Sequence, residues 1–199
     1  MSEMFYAFAL FAAVATITPG GATTLATASG SRFGYARSLP LIAGIASGLA
    51  VLVASAATGL GALVQSVPVL SLALKLVGSA YLLWLAVRIA SAGAPGANSE
   101  DRAVPIGFAG GLLLLLVNPK GWTMAFGAAA SFSGLAASPV SLAAILGGTF
   151  AVAATVSLSL WCLGGTVLAR VVRTPRQWMI LNASLGALLA LSVVPIWLT

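Results

Sequence analysis

LLLLLVNPKGW, at residues 112–122, is the segment that decides the fold. Five leucines and a valine lead directly into the tetrapeptide 118–121, which contains a helix breaker and a charge. Proline removes a backbone N–H donor and clashes with the preceding helical turn, and a lysine at bilayer depth costs a few kcal/mol. Because helix stability does not favour this combination, we expect the chain to bury it inside a membrane, together with a similar break around Pro19.

The composition of the chain identifies its class. Of the 199 residues, 60% are apolar and only 6% are charged, and the mean hydropathy is +1.10. Soluble domains are about 25% charged, so this composition indicates an integral membrane protein. The formal net charge is +6. Because most of the basic residues lie at the ends of apolar runs, topology explains this charge better than binding to nucleic acid does.

The chain lacks the side chains that enzymes use. It has no histidine, Cys162 is its only cysteine, and its three carboxylates lie outside the apolar runs, at Glu3, Glu100 and Asp101. Nucleophilic, metal-assisted and redox chemistry all need such groups. We therefore expect no catalytic residue, no metal, no cofactor and no enzymatic activity.

Six apolar segments predict six membrane-spanning helices, at about 4–29, 39–64, 68–88, 106–132, 140–168 and 178–198. No basic segment precedes the first of them, so we interpret it as a retained span and not as a cleaved signal peptide. A linker rich in Ala, Gly and Pro at 91–105 divides the chain. The expected organisation is therefore a three-helix repeat at 1–90, a linker at 91–105 and a second repeat at 106–199.

The basic residues of the loops predict the orientation. They fall in alternate loops, with none in the other two: Arg32 and Arg37, then Arg88 and Arg102, then Arg170, Arg173 and Arg176. The positive-inside rule makes these three loops cytoplasmic, including the linker. Both termini are then expected outside the cytoplasm.

Two halves of three spans each imply that the second half is inverted relative to the first. Pro19 and Pro119 occupy matching positions, and both lie about 20 Å from the start of their spans at 1.5 Å per residue. Weaker matches follow in order: Pro40 and Pro139, which are both expected to open the following span, then Gly48 and Gly148, and Gly78 and Gly186. The sequence thus predicts two inverted three-helix repeats whose first and fourth helices are broken near the midplane.

The two breaks predict a binding site for a small solute. Broken helices expose free amides and carbonyls and carry partial charges at their half-helix ends. The candidate substrate-binding residues are Thr18, Pro19, Gly20 and Gly21 at the first break, and Asn118, Pro119, Lys120 and Gly121 at the second. Lys120 is expected to attract a substrate carboxylate, because it lies too deep to reach the headgroups.

Several candidates have a structural alternative. The prolines are compatible with ordinary kinks, Asn118 with capping of freed backbone groups, and the threonines with bonds to their own helix. Lys75 is a weaker candidate, since it lies close enough to the outer interface to reach it. The aromatic residues, Trp161 among them, are interpreted as anchors at the membrane interface.

Four short motifs resemble those of the LysE/RhtB family of amino-acid exporters, in the same order and spacing. They are TPG at 18–20, RFG at 32–34, LKLVGSAYLLWL at 74–85 and NPK at 118–120. The resemblance extends along nearly the whole chain. It implies a six-span protein of the bacterial inner membrane that moves amino acids or related small metabolites out of the cytoplasm, at the expense of the proton-motive force.

The chain departs from the family pattern at two places. Many relatives continue the first motif as PGPN where this chain has PGGA at 19–22. Many also carry an aspartate in the fifth span, where this chain has Ala154 and Thr155, which makes Thr155 a weak candidate. Without a carboxylate in any predicted span, proton coupling would have to use Lys120 or Lys75. Exchange and facilitated efflux are equally compatible with the sequence.

A second class of function stays open at this point. The small-residue motif GIASG at 44–48 lets helices approach closely in lipid, as in a homo-oligomer or a non-transporting scaffold or assembly subunit. The expected partners are therefore a small-molecule substrate, membrane lipid and, through such faces, further copies of the chain. A single buried cation favours an anionic or zwitterionic solute, and the sequence does not select among the amino acids.

Overall fold

The computed structural model describes residues 2–59, 68–94, 104–194 and 197, and its regular structure in these ranges is entirely helical. The eight α-helices are α1 (Ser2–Ile17), α2 (Gly21–Phe33), α3 (Tyr35–Ala57), α4 (Pro68–Ala90), α5 (Phe108–Leu116), α6 (Pro119–Ser131), α7 (Pro139–Val171) and α8 (Pro175–Leu191). A single 3₁₀ turn, Ser133–Leu135, follows α6. The all-α prediction is confirmed for the described residues.

The first and fourth predicted spans are broken, as the sequence predicted. Helices α1 and α2 are bent by 57° at their junction, and α5 and α6 by 66°. In the described part of the chain, α3 and α7 are each long and apolar enough to cross a membrane, and the two bent pairs raise the number of candidate spans to four. Six spans in two inverted repeats stay a prediction, and so does the division of the chain, because most of the linker lies outside the described residues.

The second predicted span begins earlier than expected. We expected it from about residue 39, with Pro40 at its opening, but α3 begins at Tyr35 and Pro40 lies inside the helix. Gly34 is the cause, since it ends α2 by donating its N–H to the Gly30 carbonyl and has a φ of 78°, which glycine adopts without strain. The next helix therefore starts at once. By contrast Pro139 does open α7, behind a Ser138 cap.

Each broken helix packs against the long helix of the opposite half of the chain. Helices α1 and α2 lie against α7, whereas α5 and α6 lie against α3. The two long helices also pack extensively against each other, and α4 packs against α8. Both broken pairs therefore pack on the α3–α7 pair.

Glycines set the closest of these helix crossings. Between α2 and α7, a Cβ atom on Gly30 would lie 2.0 Å from the Cys162 carbonyl oxygen, and one on Gly165 would lie 2.1 Å from the Thr27 carbonyl oxygen. Only a missing side chain permits such backbone contact, which gains dispersion energy along both helices. The α3–α5 crossing is built in the same way, with Gly44 against Phe108 and Gly111 against Leu41.

Candidate functional site

The broken end of α1 presents three consecutive carbonyl groups to the second half of the chain. A helix end leaves its last carbonyls without intrahelical partners, and inside a membrane no water is available to donate hydrogen bonds to them. Here side chains of α6 and α7 donate to all three. Ser157 Oγ donates to Thr16 O (2.8 Å), Trp161 Nε1 to Ile17 O (3.0 Å) and Lys120 Nζ to Thr18 O (2.5 Å).

The start of α2 is shaped by two glycines. The Gly20 N–H donates to the Thr23 hydroxyl over 2.8 Å, and that hydroxyl donates back to the Gly20 carbonyl. A Cβ atom on Gly20 would lie 3.2 Å from Lys120 Cδ, and one on Gly21 would lie 3.1 Å from Ser192 Oγ and 3.5 Å from Asn118 Nδ2. Gly20 therefore makes room for the lysine of the second break, and Gly21 makes room chiefly for Ser192.

Asn118 and Trp122 satisfy the backbone groups freed at the second break. Asn118 Oδ1 accepts a hydrogen bond from the Lys120 N–H over 3.0 Å and so caps the N-terminus of α6. Trp122 Nε1 donates to the Leu116 carbonyl at the end of α5 over 2.7 Å. Pro119 occupies the first helical position, where its missing N–H is not needed. The hydrogen bond that Asn118 makes in the structure is therefore that of a helix cap, as the structural alternative proposed.

A cavity of about 30 Å³ lies between the two breaks. Gly20 and Thr23 line it from the first break, and Asn118, Lys120 and Gly121 line it from the second, with apolar side chains of α3, α6 and α7 around them. This volume holds about one water molecule and is too small for an amino acid. The structure therefore shows the site contracted around its own polar groups.

Lys120 provides the charge of this cavity. It is the one ionisable side chain among the described residues that line the cavity. Glu3 is the sole carboxylate in the ranges that the structure describes, and it is exposed in the first turn of α1, about 21 Å from the break along the helix. The lysine ammonium is instead stabilised by the Thr18 carbonyl, at the negative end of the α1 dipole.

The polar side chains of three sequence candidates lie away from this cavity. The Thr18 hydroxyl is exposed and donates to the Val14 carbonyl of its own helix over 2.6 Å. Thr155 is exposed on α7 and donates to Ala151 in the same way. Lys75 is half-buried on α4 and does not line this cavity. The geometry brings Lys120, Gly20, Gly21 and Asn118 together and leaves the other polar candidates out.

Two contributors to the site were missed or misjudged from the sequence. Trp161 was interpreted as an interface anchor, but its indole N–H reaches the Ile17 carbonyl at the break. Ser157 was not singled out, although it is buried and bonds to Thr16. The two residues are four apart on α7, so they lie on one helix face. That spacing of hydrogen-bond donors in an apolar span was the available signal.

A family model described as LysE type translocator matches residues 13–194. The chain belongs to this family. That result confirms the resemblance inferred from the four motifs.

The named relatives of this family member are efflux proteins. It is 32% identical over 114 residues to the cysteine/O-acetylserine efflux protein of Salmonella typhimurium and 36% identical over 115 residues to the protein of the same name from Klebsiella pneumoniae. It is also 33% identical over 86 residues to an uncharacterized membrane protein of Vibrio cholerae, covering 43% of this chain and 42% of the relative. The two efflux alignments each cover 57% of both chains, so the family member spans little more than half the length of these relatives. No solved structure matches it.

Proposed function

We propose that this chain is a secondary transporter that exports amino acids, or related small zwitterionic or anionic metabolites, across the bacterial inner membrane. Membership of the family supports transport rather than catalysis, and the named efflux relatives suggest cysteine and O-acetylserine as the first solutes to test. One observation carries the proposal: Lys120 Nζ donates to the Thr18 carbonyl and so joins the two helix breaks at a shared polar site.

The site matches a zwitterion. The N-termini of α2 and α6 and the Lys120 ammonium attract a carboxylate, while the carbonyls at the end of α1 attract an ammonium group. A solute carboxylate binds by taking Lys120 from Thr18, and the solute ammonium then replaces it on the freed carbonyl. In this scheme the protein exchanges one charged hydrogen bond for another, so the lysine need not be neutralised while the site is empty.

The packing of the halves suggests how the site alternates between the two sides of the membrane. Each broken helix rests on the long helix of the opposite half, so rocking of the halves about the α3–α7 pair enlarges the contracted cavity toward one side at a time. The proposal includes six spans in two inverted repeats, 1–90 and 106–199. It also includes a cytoplasmic linker at 91–105 and both termini outside the cytoplasm.

Uptake by inside-out membrane vesicles tests this function, because export in the cell becomes uptake there. Vesicles with the wild-type chain should accumulate labelled O-acetylserine or cysteine faster than vesicles without it. Lys120→Ala should reduce the rate at least about tenfold, the usual effect of losing a charged hydrogen bond. Lys75→Ala is the matched control, since Lys75 lies outside the site, and should transport normally. Equal rates for the wild-type and empty vesicles with every amino acid tested would refute transport.

A further inference from the structure

A groove of about 500 Å³ runs along the surface of α7, from the break in α1 to the C-terminal end of α7. Ile17 and Trp161 line it beside the break, and Val167, Leu168 and Val171 line it near the end of α7. Almost all of the surface that it presents is apolar. We call it the α7 groove.

A glycine forms the floor of the α7 groove. Gly165 contacts α2, but the neighbouring Gly164 lines the groove, and a Cβ atom added to Gly164 would have no atom within 4 Å. Val167 and Val171 beside it are 58% and 68% exposed. The groove is therefore open to the surroundings of the protein, and no side chain in the described part of the chain fills it.

The length of the α7 groove matches one leaflet of a bilayer. Helix α7 is long and apolar enough to cross a membrane. The ten residues from Trp161 to Val171 correspond to about 15 Å of helix. The hydrocarbon core of a bilayer is about 30 Å thick, so this distance is that of a single leaflet. An acyl chain that starts at the end of α7 therefore reaches the break in α1.

Two arginines lie where the α7 groove ends. Arg170 follows Val167 by three positions on the same helix, so the two are neighbours on its surface, and Arg173 follows Val171 by two positions. Both arginines are exposed. Glu3, the sole carboxylate in the described ranges, lies at the other end of α1 from the groove. Because guanidinium groups bind phosphate through paired hydrogen bonds, this end of the groove is complementary to a phospholipid headgroup.

The charge decides which lipid the groove would prefer. Moving an acyl chain from the bilayer into an apolar groove removes no apolar surface from water, since lipid tails are as apolar as the side chains around them. A preference among phospholipids must therefore come from the headgroup. Basic residues at a membrane surface favour anionic lipids.

We propose that the α7 groove binds one anionic phospholipid, with an acyl chain along α7 and the phosphate at Arg170 and Arg173. The inner end of the chain then lies against Ile17 and Trp161, whose hydrogen bond ends α1 at the break. A second copy packed face to face on this groove would bring its own two arginines to the same depth, and such like charges disfavour it. This lipid site does not depend on which solute the protein carries.

Native mass spectrometry of the purified full chain tests the site, because it counts the phospholipids that stay bound when the detergent is removed. Phosphatidylglycerol and phosphatidylcholine are titrated separately, and the wild type should bind phosphatidylglycerol more tightly. Arg170→Gln and Arg173→Gln should each weaken that binding about fivefold, the effect of one basic residue near the surface, and leave phosphatidylcholine unchanged. Arg37→Gln is the matched control, since Arg37 is exposed, lies on the same predicted side and does not line the groove.

A second pair of variants tests the groove itself. Gly164→Leu extends a side chain into the α7 groove and should weaken phosphatidylglycerol binding several-fold. Gly148→Leu is the control, because Gly148 is an equally open position of α7 outside the groove. Leucine favours a helix more than glycine does, so both variants should fold.

Three results would overturn the lipid site. The first is equal phosphatidylglycerol binding by the Arg170→Gln, Arg173→Gln and Arg37→Gln variants. The second is equal binding by the Gly164→Leu and Gly148→Leu variants. The third is a dimer in the mass spectrum that Gly164→Leu disrupts and Gly148→Leu does not, which would identify a second copy of the chain as the occupant.

Discussion

The ammonium group of Lys120 and the carbonyl oxygen of Thr18 are 2.5 Å apart and join the two halves of the chain across 102 positions of sequence. This bond joins the charged donor of the site to a carbonyl at the negative end of α1. It uses one of the three N–H donors of the ammonium group, so a solute carboxylate that binds Lys120 competes with Thr18 for its position. The space, the hydrogen bonds and the charge around this pair can each be altered separately.

Replacing Gly20 by alanine changes the space around the lysine. The added Cβ would lie 3.2 Å from Lys120 Cδ, so we expect the side chain to shift by a few tenths of an ångström and transport to fall several-fold. The extended φ of −179° at Gly20 suits alanine, so thermal stability should change little. Uptake and the unfolding midpoint are measured together. Gly148→Ala, with no atom within 4 Å of its added Cβ, is the control. Normal uptake by Gly20→Ala would show that the lysine does not need its present position.

Replacing Asn118 by aspartate places a carboxylate beside Lys120 and keeps an oxygen for the helix cap. We expect folding to be retained and uptake of O-acetylserine to fall about tenfold, because the new carboxylate competes with that of the solute. Asn118→Ala should instead destabilise the protein by about 0.5–2 kcal/mol through loss of the cap. Vesicle uptake and thermal unfolding separate the two effects. If the aspartate variant transports normally, Lys120 does not bind the solute carboxylate.

Replacing Ser157 by alanine removes the donor to the buried Thr16 carbonyl. Since an unpaired buried polar group costs about 1–3 kcal/mol, the unfolding midpoint in detergent should fall by several degrees. Thr155→Val is the matched control, because its hydroxyl bonds to its own helix on an exposed face. A similar midpoint for the two variants would mean that the end of α1 does not depend on α7 for its hydrogen bonds.

Replacing Gly165 by alanine tests the closest helix crossing. Its Cβ would lie 2.1 Å from the Thr27 carbonyl oxygen, so α2 and α7 must separate and the site they hold must open. We expect loss of folded, monodisperse protein on size-exclusion chromatography, since overpacking of this kind costs about 1–3 kcal/mol or more. The neighbouring Gly164→Ala, with no atom within 4 Å of its added Cβ, should elute as the wild type does. Normal elution of both would contradict the packing of α2 on α7.

The parts of the site that follow from local chemistry were predictable from the sequence. Proline and glycine set the breaks at 18–21 and 118–121, because they act on their own backbone. The pairing of Asn118 with its own helix follows from the same local rules. The early start of α3 depended on the positive φ of Gly34, which the motif RFG does not reveal without its backbone geometry.

The parts that depend on helix rotation were not predictable. Trp161 is near the end of its predicted span, yet its indole N–H bonds to the break in α1. Sequence position gives depth in the membrane but not the direction in which a side chain faces. For the same reason the cavity that Arg32 and Arg88 line from different helices could be found only in the tertiary structure.

The packing of each broken helix on the long helix of the other half also constrains how the chain is made. The donors to Thr16 and Ile17 follow these residues by 141 and 144 positions. Until α7 is synthesised, the carbonyls of Thr16 and Ile17 lack these donors, and lipid supplies none. The break in the first half is therefore made as an unfinished structure, and α7 completes it. The proposed transport site exists only once the two halves have closed around each other.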